Sequence, residues 1–343
     1  MIFLQPRNGT CNRLRAIASA LSLARSCGQP LCVYWVDDSG MKVKFTDLFV
    51  NTGAFDVVEQ RSDRMERLFS AGNDNFFSQD DFRDARKVKA MVESISNASS
   101  SQAFAISSFS HFHGDHDYSW LRLKPDLQSQ VDELGQLLGS DCIGLHIRRT
   151  DNVKSRAFSP LHLFEKFIRE EMSKDLNVRF FLATDSDVNR RLLVRRFGNR
   201  IITREAVAAR FERNGVADGV VDLMLLARTR KVIGCHWSSF SEEAARIGHV
   251  PFAVLKESIP DPEQKVADLN DQICELELAQ DDTDGMVREC RAARIALERV
   301  QERLNAAQFE LQRLKMSEAY RVGMLLTWPL RKIKSVLWSS SGR

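Results

Sequence analysis

The chain has 343 residues, of which 43% are hydrophobic and 28% charged, and its 49 basic and 46 acidic side chains give a formal net charge of +3. This balance is that of an ordinary globular protein, with room for two domains or for one domain and appendages. The charge is too even to indicate a nucleic-acid partner, and no basic segment is interleaved with aromatic residues. Seven cysteines are scattered with no CxxC pair, which predicts reduced thiols and a reducing compartment.

The chain opens on an apolar segment, Ile2-Phe3-Leu4, which predicts a first strand over residues 2–6. No basic segment or long apolar segment precedes this strand, so a secretory signal is not expected. No apolar run reaches the ~20 residues that a membrane-spanning helix needs. We therefore expect a cytoplasmic protein.

Residues 1–135 are expected to form an N-terminal α/β domain. The predicted elements are strand 2–6, helix 13–27, strand 31–36 and strand 103–106. Residues 37–100 are polar and show few clear periods, and their Ser/Asn-rich end is expected to be a loop.

Residues 136–258 alternate strands and helices more regularly, which predicts a parallel, doubly wound sheet. The predicted strands are 141–147, 178–184, 200–203, 231–234 and 252–255. The predicted helices are 160–172, 187–197, 218–229 and 241–248. Ser159 and Pro160 are expected to be the cap and the first-turn proline of the first of these helices.

Pro260 and Pro262 mark a boundary, after which the composition turns to Glu, Gln, Arg, Leu and Ala. Apolar residues at heptad spacing between 290 and 314 predict a coiled coil over residues 263–317, through which two or three chains would associate. The heptad phase changes near residues 281–285, which indicates either a stutter in the coiled coil or a helical hairpin. A single amphipathic helix lying on the body is the alternative to a coiled coil.

Residues 318–343 form a basic amphipathic tail. Arginines and lysines flank its apolar segment 322–330, and Trp328 and Trp338 are suited to a membrane interface. The pattern is typical of a segment that contacts the face of an anionic membrane. A disordered basic tail is the alternative.

The most informative segment is His-Ile-Arg-Arg-Thr-Asp, residues 146–151, which ends an apolar strand. Ligands of open α/β sheets bind at the carboxyl ends of strands, and the donor fork of arginine suits phosphate oxygens. Strand alternation places His146 and Arg148 on one face and Ile147 and Arg149 on the other. The segment predicts a diphosphate-binding strand end, and solvated surface arginines are the alternative.

Polar residues follow two other predicted strands of this half. Asp185 ends strand 178–184, and Ser238 and Ser239 follow strand 231–234 just before a helix. Hydroxyl groups and free N–H groups at a helix N-terminus form an anion site. With the two arginines, they predict a site for a diphosphate that carries a base and a sugar.

Three of these segments, residues 146–151, 181–185 and 237–240, resemble the motifs of the α1,6-fucosyltransferases. These include eukaryotic core N-glycan enzymes and rhizobial chitin-oligosaccharide enzymes, with α1,2- and protein O-fucosyltransferases as more distant relatives. The resemblance is close over residues 140–250, weaker over 8–14, and absent from the C-terminal segments. It implies a GT-B-like α/β fold of two Rossmann-like domains and a metal-independent, inverting transfer of fucose from GDP-fucose.

The resemblance also implies roles for individual residues. His146 and Asp222 would contact guanine, and Arg148 would hold the β-phosphate. The implied catalytic residues are Arg148, Asp151 and Asp185. The implied GDP-sugar-binding residues are Asn12, His146, Arg148, Arg149, Asp222, Ser238 and Ser239. No metal or other cofactor is expected, because a preorganised arginine can stabilise the charge on the departing GDP.

Two positions depart from the family pattern. Asn152 stands where some α1,6 enzymes have lysine, and Arg156 stands where they have a glutamate proposed to act at the acceptor. The departures imply a glycan acceptor other than the core N-glycan, and they leave the general base unidentified.

Candidates for the acceptor cleft are His111, His113 and Arg156. The two histidines belong to segment 111–117, which is rich in His and Asp, and a surface turn or a metal site are the alternatives. Asp187 completes a D-x-D pattern of metal-dependent glycosyltransferases, but it is equally suited to be a helix N-cap.

The leading hypothesis is fucosyl transfer to a saccharide hydroxyl in bacterial-type surface glycan synthesis, by an enzyme peripheral on the inner face of a membrane. One alternative is a catalytically inactive GDP-sugar-binding scaffold that its coiled coil oligomerises. Another is a transferase that uses a different GDP-sugar. The sequence has no G-x-G-x-x-G after a strand and no G-x-x-x-x-G-K-[ST], which disfavours an oxidoreductase and an NTPase.

Overall fold

A computed structural model describes residues 1–37, 41–70, 72–99, 101–150, 153–204, 213–257 and 284–316. The chain divides into two compact units, Met1–Ile259 and Pro260–Arg343. The first unit contains two five-stranded sheets, in which every pair of neighbouring strands is parallel. The expected pair of parallel sheets is therefore confirmed.

The first sheet is centred on the strand that opens the chain. Its strands are β1 (Ile2–Pro6), β2 (Leu31–Tyr34), β3 (Asp56–Val58), β4 (Phe76–Phe77) and β5 (Phe104–Ser108), in the order β3-β2-β1-β5-β4. Its helices are α1 (Thr10–Ser26), α2 (Phe45–Leu48), α3 (Asp63–Leu68) and α4 (Ala85–Ser96). The apolar stripe of α1, with Leu14 and Ile17 fully buried, explains why this helix was predictable.

The second sheet holds the residues with the strongest functional signals. Its strands are β6 (Ile143–Ile147), β7 (Phe180–Thr184), β8 (Ile201–Thr203), β9 (Lys231–Cys235) and β10 (Phe252–Leu255), in the order β10-β9-β6-β7-β8. Its helices are α5 (Pro125–Leu138), α6 (Val153–Phe158), α7 (Leu161–Lys174), α8 (Asp187–Phe197), α9 (Arg213–Ala227) and α10 (Ser239–Gly248).

The order of the second sheet creates a switch point at β6. The chain moves from β6 to β7 and β8 on one side and then crosses to β9 and β10 on the other. The connections that leave the carboxyl ends of β6 and β9 therefore diverge, and a crevice opens between them. Ligands of open α/β sheets bind in such crevices.

Helix α5 has no counterpart among the predicted elements. It runs through residue 135, so the predicted domain boundary at 135/136 falls inside a helix. The Val131 carbonyl accepts a hydrogen bond from Arg228, just beyond the end of α9, at 2.9 Å. Helix α5 thus packs with the helices of the second sheet.

The expected cap of α7 is wrong. The helix begins at Leu161, and Pro160 rather than Ser159 is its N-cap residue. The Ser159 hydroxyl instead accepts the His236 N–H at 2.8 Å and donates to the Leu255 carbonyl. Ser159 therefore ties this helix to the ends of β9 and β10.

Asp187 is not a helix cap either. The N-cap residue of α8 is Ser186, whose hydroxyl accepts the Asn189 N–H at 3.3 Å. The Asp187 carboxylate, one position later, pairs with Arg190 and, at 2.7 Å, with Arg191.

The second unit contains helix α11 (Asp284–Met316). This helix covers the predicted heptads between 290 and 314, and their pairing into a coiled coil stays a prediction. The earlier apolar run before residue 281 and the basic tail 318–343 lie outside the described residues. Among the described residues, no helix combines the length and the apolar composition that crossing a bilayer requires.

Candidate functional site

His146 lies near the carboxyl end of β6 and faces α10. Its neighbours Leu145 and Ile147 point to the opposite side, into the core formed with α7 and α8. The imidazole is 7% exposed, its Nδ1 lies 3.3 Å from the Ser238 hydroxyl, and its ring stacks on Phe240 with 4.6 Å between centroids. These contacts fix the ring at the switch point.

The segment after β6 is held by its own backbone. The Arg149 N–H donates to Asp185 Oδ1 at 2.6 Å, and the N–H and hydroxyl of Thr150 donate to Oδ2 at 3.3 and 2.7 Å. On the other side, the Arg148 N–H donates to Cys235 Sγ at 3.4 Å. The segment that carries the two arginines is thus clamped between the ends of β7 and β9.

The thiol of Cys235 makes the second half of this clamp. Besides accepting from Arg148, it donates to the His146 carbonyl, with 3.6 Å between the sulfur and the oxygen. Burial raises the pKa of the Cys235 thiol. The thiol is therefore protonated and neutral at physiological pH. Its two hydrogen bonds link the end of β9 to residues 146 and 148 without adding charge.

The turn from β9 into α10 presents a helix N-terminus at the same edge. Ser238 is the N-cap residue of α10, but its side chain makes no cap hydrogen bond to the helix and turns to His146. Ser239 is the first helical residue. The first N–H groups of a helix carry partial positive charge and have no partner within the helix. Together with the arginines, they make this edge suitable for an anion.

Asp222 lies on α9 and pairs with an arginine that the sequence did not single out. Arg204 follows β8 and places Nη1 3.2 Å from Asp222 Oδ1 and Nη2 2.8 Å from Asp218 Oδ1. Burial raises the pKa of Asp222 to about 6, although Arg204 acts in the opposite direction. The rule that polar residues follow strand ends would also have found Arg204.

Asn12 belongs to the edge of the first sheet. Its Oδ1 accepts from Arg15 Nη2 at 2.6 Å, and Arg15 Nε donates to the Phe109 carbonyl at 3.1 Å. The structure therefore links Asn12 to the segment that follows β5, and it groups His146, Arg148, Arg149, Asp185, Ser238 and Ser239 at the other sheet.

The predicted histidines after β5 point in different directions. His111 stacks on His116 with 3.9 Å between ring centroids, whereas His113 Nε2 lies 3.3 Å from the Ser26 hydroxyl on α1. Burial lowers the pKa of His111 and lowers that of His116 to about 4. Both rings are therefore neutral at physiological pH.

His116 borders a cavity of about 400 Å³ beside α10. The other residues that line the cavity are Glu242, Ala245, Arg246, His249, Val250 and Phe252. At the same junction, the Tyr118 hydroxyl donates to the fully buried Glu243 of α10. The segment after β5 is therefore joined to the second sheet through α10.

Two further predicted residues belong to the stretch that follows the arginines. Asp151 itself lies outside the described residues, and Arg156 is half-buried on α6. Next to Arg156, the fully buried Ser155 donates to the His236 carbonyl at 2.6 Å, which fixes α6 against the end of β9. Across the described ranges, no three His, Cys, Asp or Glu side chains are grouped so that they could hold a metal ion.

No profile of a protein family and no curated protein sequence matches the chain. Solved structures do match it. NodZ α1,6-fucosyltransferase soaked with GDP-fucose is 21% identical, with a TM-score of 0.50 over 72% of this chain and 91% of that chain. The same enzyme co-crystallised with GDP is 22% identical, with a TM-score of 0.50 over 71% and 91%.

Selenomethionine-labelled fucosyltransferase NodZ from Bradyrhizobium is 21% identical, with a TM-score of 0.51 over 76% of this chain and 96% of that chain. The chain is therefore similar in fold to the NodZ fucosyltransferases across nearly their whole length. This confirms the expected fold relationship.

Proposed function

We propose that the protein is a glycosyltransferase that moves fucose from GDP-fucose to a saccharide hydroxyl. The observation that carries the proposal is the clamped edge of the second sheet, where Arg148 and Arg149 lie beside the N-terminus of α10 at a topological switch point. The fold similarity supports it, because the NodZ structures were obtained with GDP and GDP-fucose.

The chemistry that this edge favours is the loss of a nucleoside diphosphate. The acceptor oxygen would form its bond to the anomeric carbon on the face opposite the departing phosphate, which inverts the configuration there. Negative charge grows on the β-phosphate as its bond to the sugar breaks. The guanidinium of Arg148 and the N–H groups at the start of α10, with Arg149 and Ser239 beside them, would stabilise that charge. In this proposal no metal ion is needed as a cofactor.

The nucleobase would lie on the face of the sheet that carries α9 and α10. His146 faces this side, and the Asp222 carboxylate can accept hydrogen bonds from the two adjacent N–H donors of guanine. In this proposal, Asp222 shares its charge between Arg204 and the base. Asp151 and Asp185 would line the donor site, and the acceptor proton would pass to a general base or to water as the new bond forms.

The remaining features of the proposal concern the cellular setting. The acceptor would be a saccharide of a bacterial-type surface glycan; it would not be the core N-glycan, since Arg156 stands where some α1,6 enzymes have a glutamate proposed to act at the acceptor. Residues 263–317 would join two or three chains as a coiled coil, and the basic tail 318–343 would hold the enzyme at an anionic membrane face in the cytoplasm.

Calorimetry and a turnover assay test the proposal together. GDP should bind more tightly than UDP or dTDP, and its affinity should be unchanged by EDTA. Arg148→Ala should lower GDP-fucose turnover by at least about 100-fold, as expected for a lost group that stabilises the transition-state charge. Arg86→Ala is the matched control, because Arg86 lies on α4 and is 93% exposed.

Three results would contradict the proposal in whole or in part. A requirement for magnesium or manganese in GDP binding would remove the role given to the arginines. GDP binding with no release of GDP from GDP-fucose, whatever saccharide is added, would instead indicate an inactive scaffold. Turnover with another GDP-sugar and none with GDP-fucose would keep the enzyme but change its donor.

A further inference from the structure

Trp237 is exposed at the candidate donor edge. It follows Cys235 at the end of β9 and precedes Ser238 and Ser239 at the start of α10. Its side chain is 62% exposed, and among the described residues the only other large aromatic side chain that is exposed to a comparable degree is Phe252, at 38%. A tryptophan left this exposed forgoes the stabilisation that burial of its large ring would give the fold.

The backbone of Trp237 is also unfavourable for tryptophan. Its φ of +58° lies in the left-handed region, which suits glycine or asparagine and strains a bulky side chain. The strain is imposed from both sides. Ser155 and Ser159 hold the carbonyl and the N–H of His236, and the Ser238 hydroxyl contacts His146. Such over-determined strain is characteristic of functional sites.

A cation accompanies the indole. Lys154, on α6, places its ammonium nitrogen 3.5 Å from the centroid of the Trp237 ring, which is cation–π geometry. Ser155, which donates to the His236 carbonyl, is its neighbour in the chain, so the same helix turn holds the end of β9 and carries the lysine. A largely exposed indole, with the lysine ammonium over one of its faces, therefore stands beside the arginine segment.

We propose that Trp237 and Lys154 form a platform for a pyranose ring of the acceptor saccharide, an inference that rests on the proposed function. One face of a pyranose carries C–H groups that pack on an aromatic ring, and its rim carries hydroxyls that a lysine can donate to. The acceptor has to approach the donor sugar, which hangs from the diphosphate, and the platform lies two residues from Ser239. The guanine base has its own candidates on the α9 side, His146 and Asp222.

The test measures saccharide binding to the intact protein saturated with GDP. The probes are the methyl glycosides of galactose, glucose, mannose, N-acetylglucosamine and rhamnose, titrated by saturation-transfer NMR. We expect at least one to bind, with the strongest transfer to C–H protons on one ring face. Trp237→Asn should weaken that binding by about tenfold, Trp237→Phe should retain part of it, and Lys154→Met should weaken it less than the asparagine variant does.

Trp237→Asn should also have a thermal midpoint at or above that of the original protein, because asparagine tolerates the left-handed backbone. Its GDP affinity should stay within about twofold of the original. Leu176→Ala is the control, since Leu176 is a large apolar residue, 78% exposed, in the turn before β7 at the opposite, amino-terminal edge of the same sheet. It should leave saccharide binding unchanged.

Three results overturn the platform. One is that none of the five glycosides binds the GDP-saturated protein. Another is that Trp237→Asn and Trp237→Phe both bind saccharide as well as the original does. The third is a tenfold loss of GDP affinity in these variants, which would assign Trp237 to the nucleobase. Failure of the original protein to bind GDP at all would instead contradict the proposed function.

Discussion

The two parallel sheets place arginines at the same topological position but use them differently. Arg13 follows the central strand of the first sheet and is fully buried. Its Nε donates to the Asn8 carbonyl at 2.8 Å and its Nη1 to the Val36 carbonyl at 3.0 Å. At the second sheet, the backbone N–H groups of Arg148 and Arg149 make the bonds that fix the segment. The guanidinium of Arg13 closes a loop and stabilises the fold, whereas the bonds that fix residues 148–150 at the second edge come from backbone N–H groups and the Thr150 hydroxyl.

Arg148→Lys is the sharpest test of the second edge. Lysine keeps the charge but loses the planar donor fork, so we expect GDP affinity to fall about tenfold and turnover to fall further. The free energy of unfolding should stay close to that of the original protein, because the backbone N–H bond to Cys235 remains. Calorimetry and urea denaturation measure the two quantities. Equal GDP affinity in both proteins would contradict the role given to this side chain.

Arg13→Ala should have the opposite profile. It removes two hydrogen bonds to loop carbonyls and a cation–π contact with Trp35 at 4.7 Å, so the free energy of unfolding should fall by about 3 kcal/mol. The matched control is Arg25→Ala on the same helix, because Arg25 is 54% exposed and pairs only at the surface with Asp117. If the two substitutions lowered the free energy of unfolding in urea by similar amounts, the stabilising role given to the buried Arg13 side chain would be contradicted.

Asp185→Asn should perturb the second edge through the clamp. The amide keeps one acceptor oxygen, so part of the set of hydrogen bonds from residues 149 and 150 is lost, at about 1 to 2 kcal/mol of unfolding free energy. GDP affinity should fall with it, because the arginines are held less firmly. Asp187→Asn is the control, since within the described part of the chain its carboxylate forms ion pairs only with Arg190 and Arg191 of its own helix. Unchanged GDP affinity in Asp185→Asn would show that Asp185 does not contribute to GDP binding.

The pH dependence of Asp222 gives the smallest effect. Burial raises its pKa to about 6 from an ordinary value of 3.8, so between these values the folded protein binds more protons than the unfolded chain. Stability from this group is therefore present below about pH 4 and is lost as the pH rises towards 6. If the carboxylate binds guanine, GDP affinity should rise over the same interval. Asp222→Asn should abolish both trends in denaturation and calorimetry at stepped pH.

The contrast between the sheets also explains what could be predicted from the sequence. Strands β7, β9 and β10 are short apolar runs between loops, and their predicted bounds lie within two residues of the observed ones. Residues 37–100 gave no clear pattern because most of their elements are only two to six residues long. A periodic signal needs more residues than that.

The candidate site divides in the same way. The rule that ligands bind at strand ends is local, and it brought Arg148, Asp185 and Ser238 together correctly on one edge. The partners of these groups depend on tertiary packing. No sequence pattern indicates that the Ser159 hydroxyl accepts the His236 N–H, or that Arg204, which follows β8, pairs with Asp222 on α9. The exposed Trp237 lay within a recognised motif, but its strained backbone becomes visible only in three dimensions.

The neutral thiol of Cys235 between β6 and β9 can serve as a chemical probe of local strand separation at the second edge. Cys235 is 1% exposed, so an alkylating reagent can modify it only when the two strands separate locally. The rate at which Cys235 is alkylated, followed in a peptide digest, therefore reports how often the two strands separate at this position. A nucleotide that contacts both strand ends would disfavour their separation. The resulting decrease in the alkylation rate would measure nucleotide binding without any knowledge of the sugar being transferred.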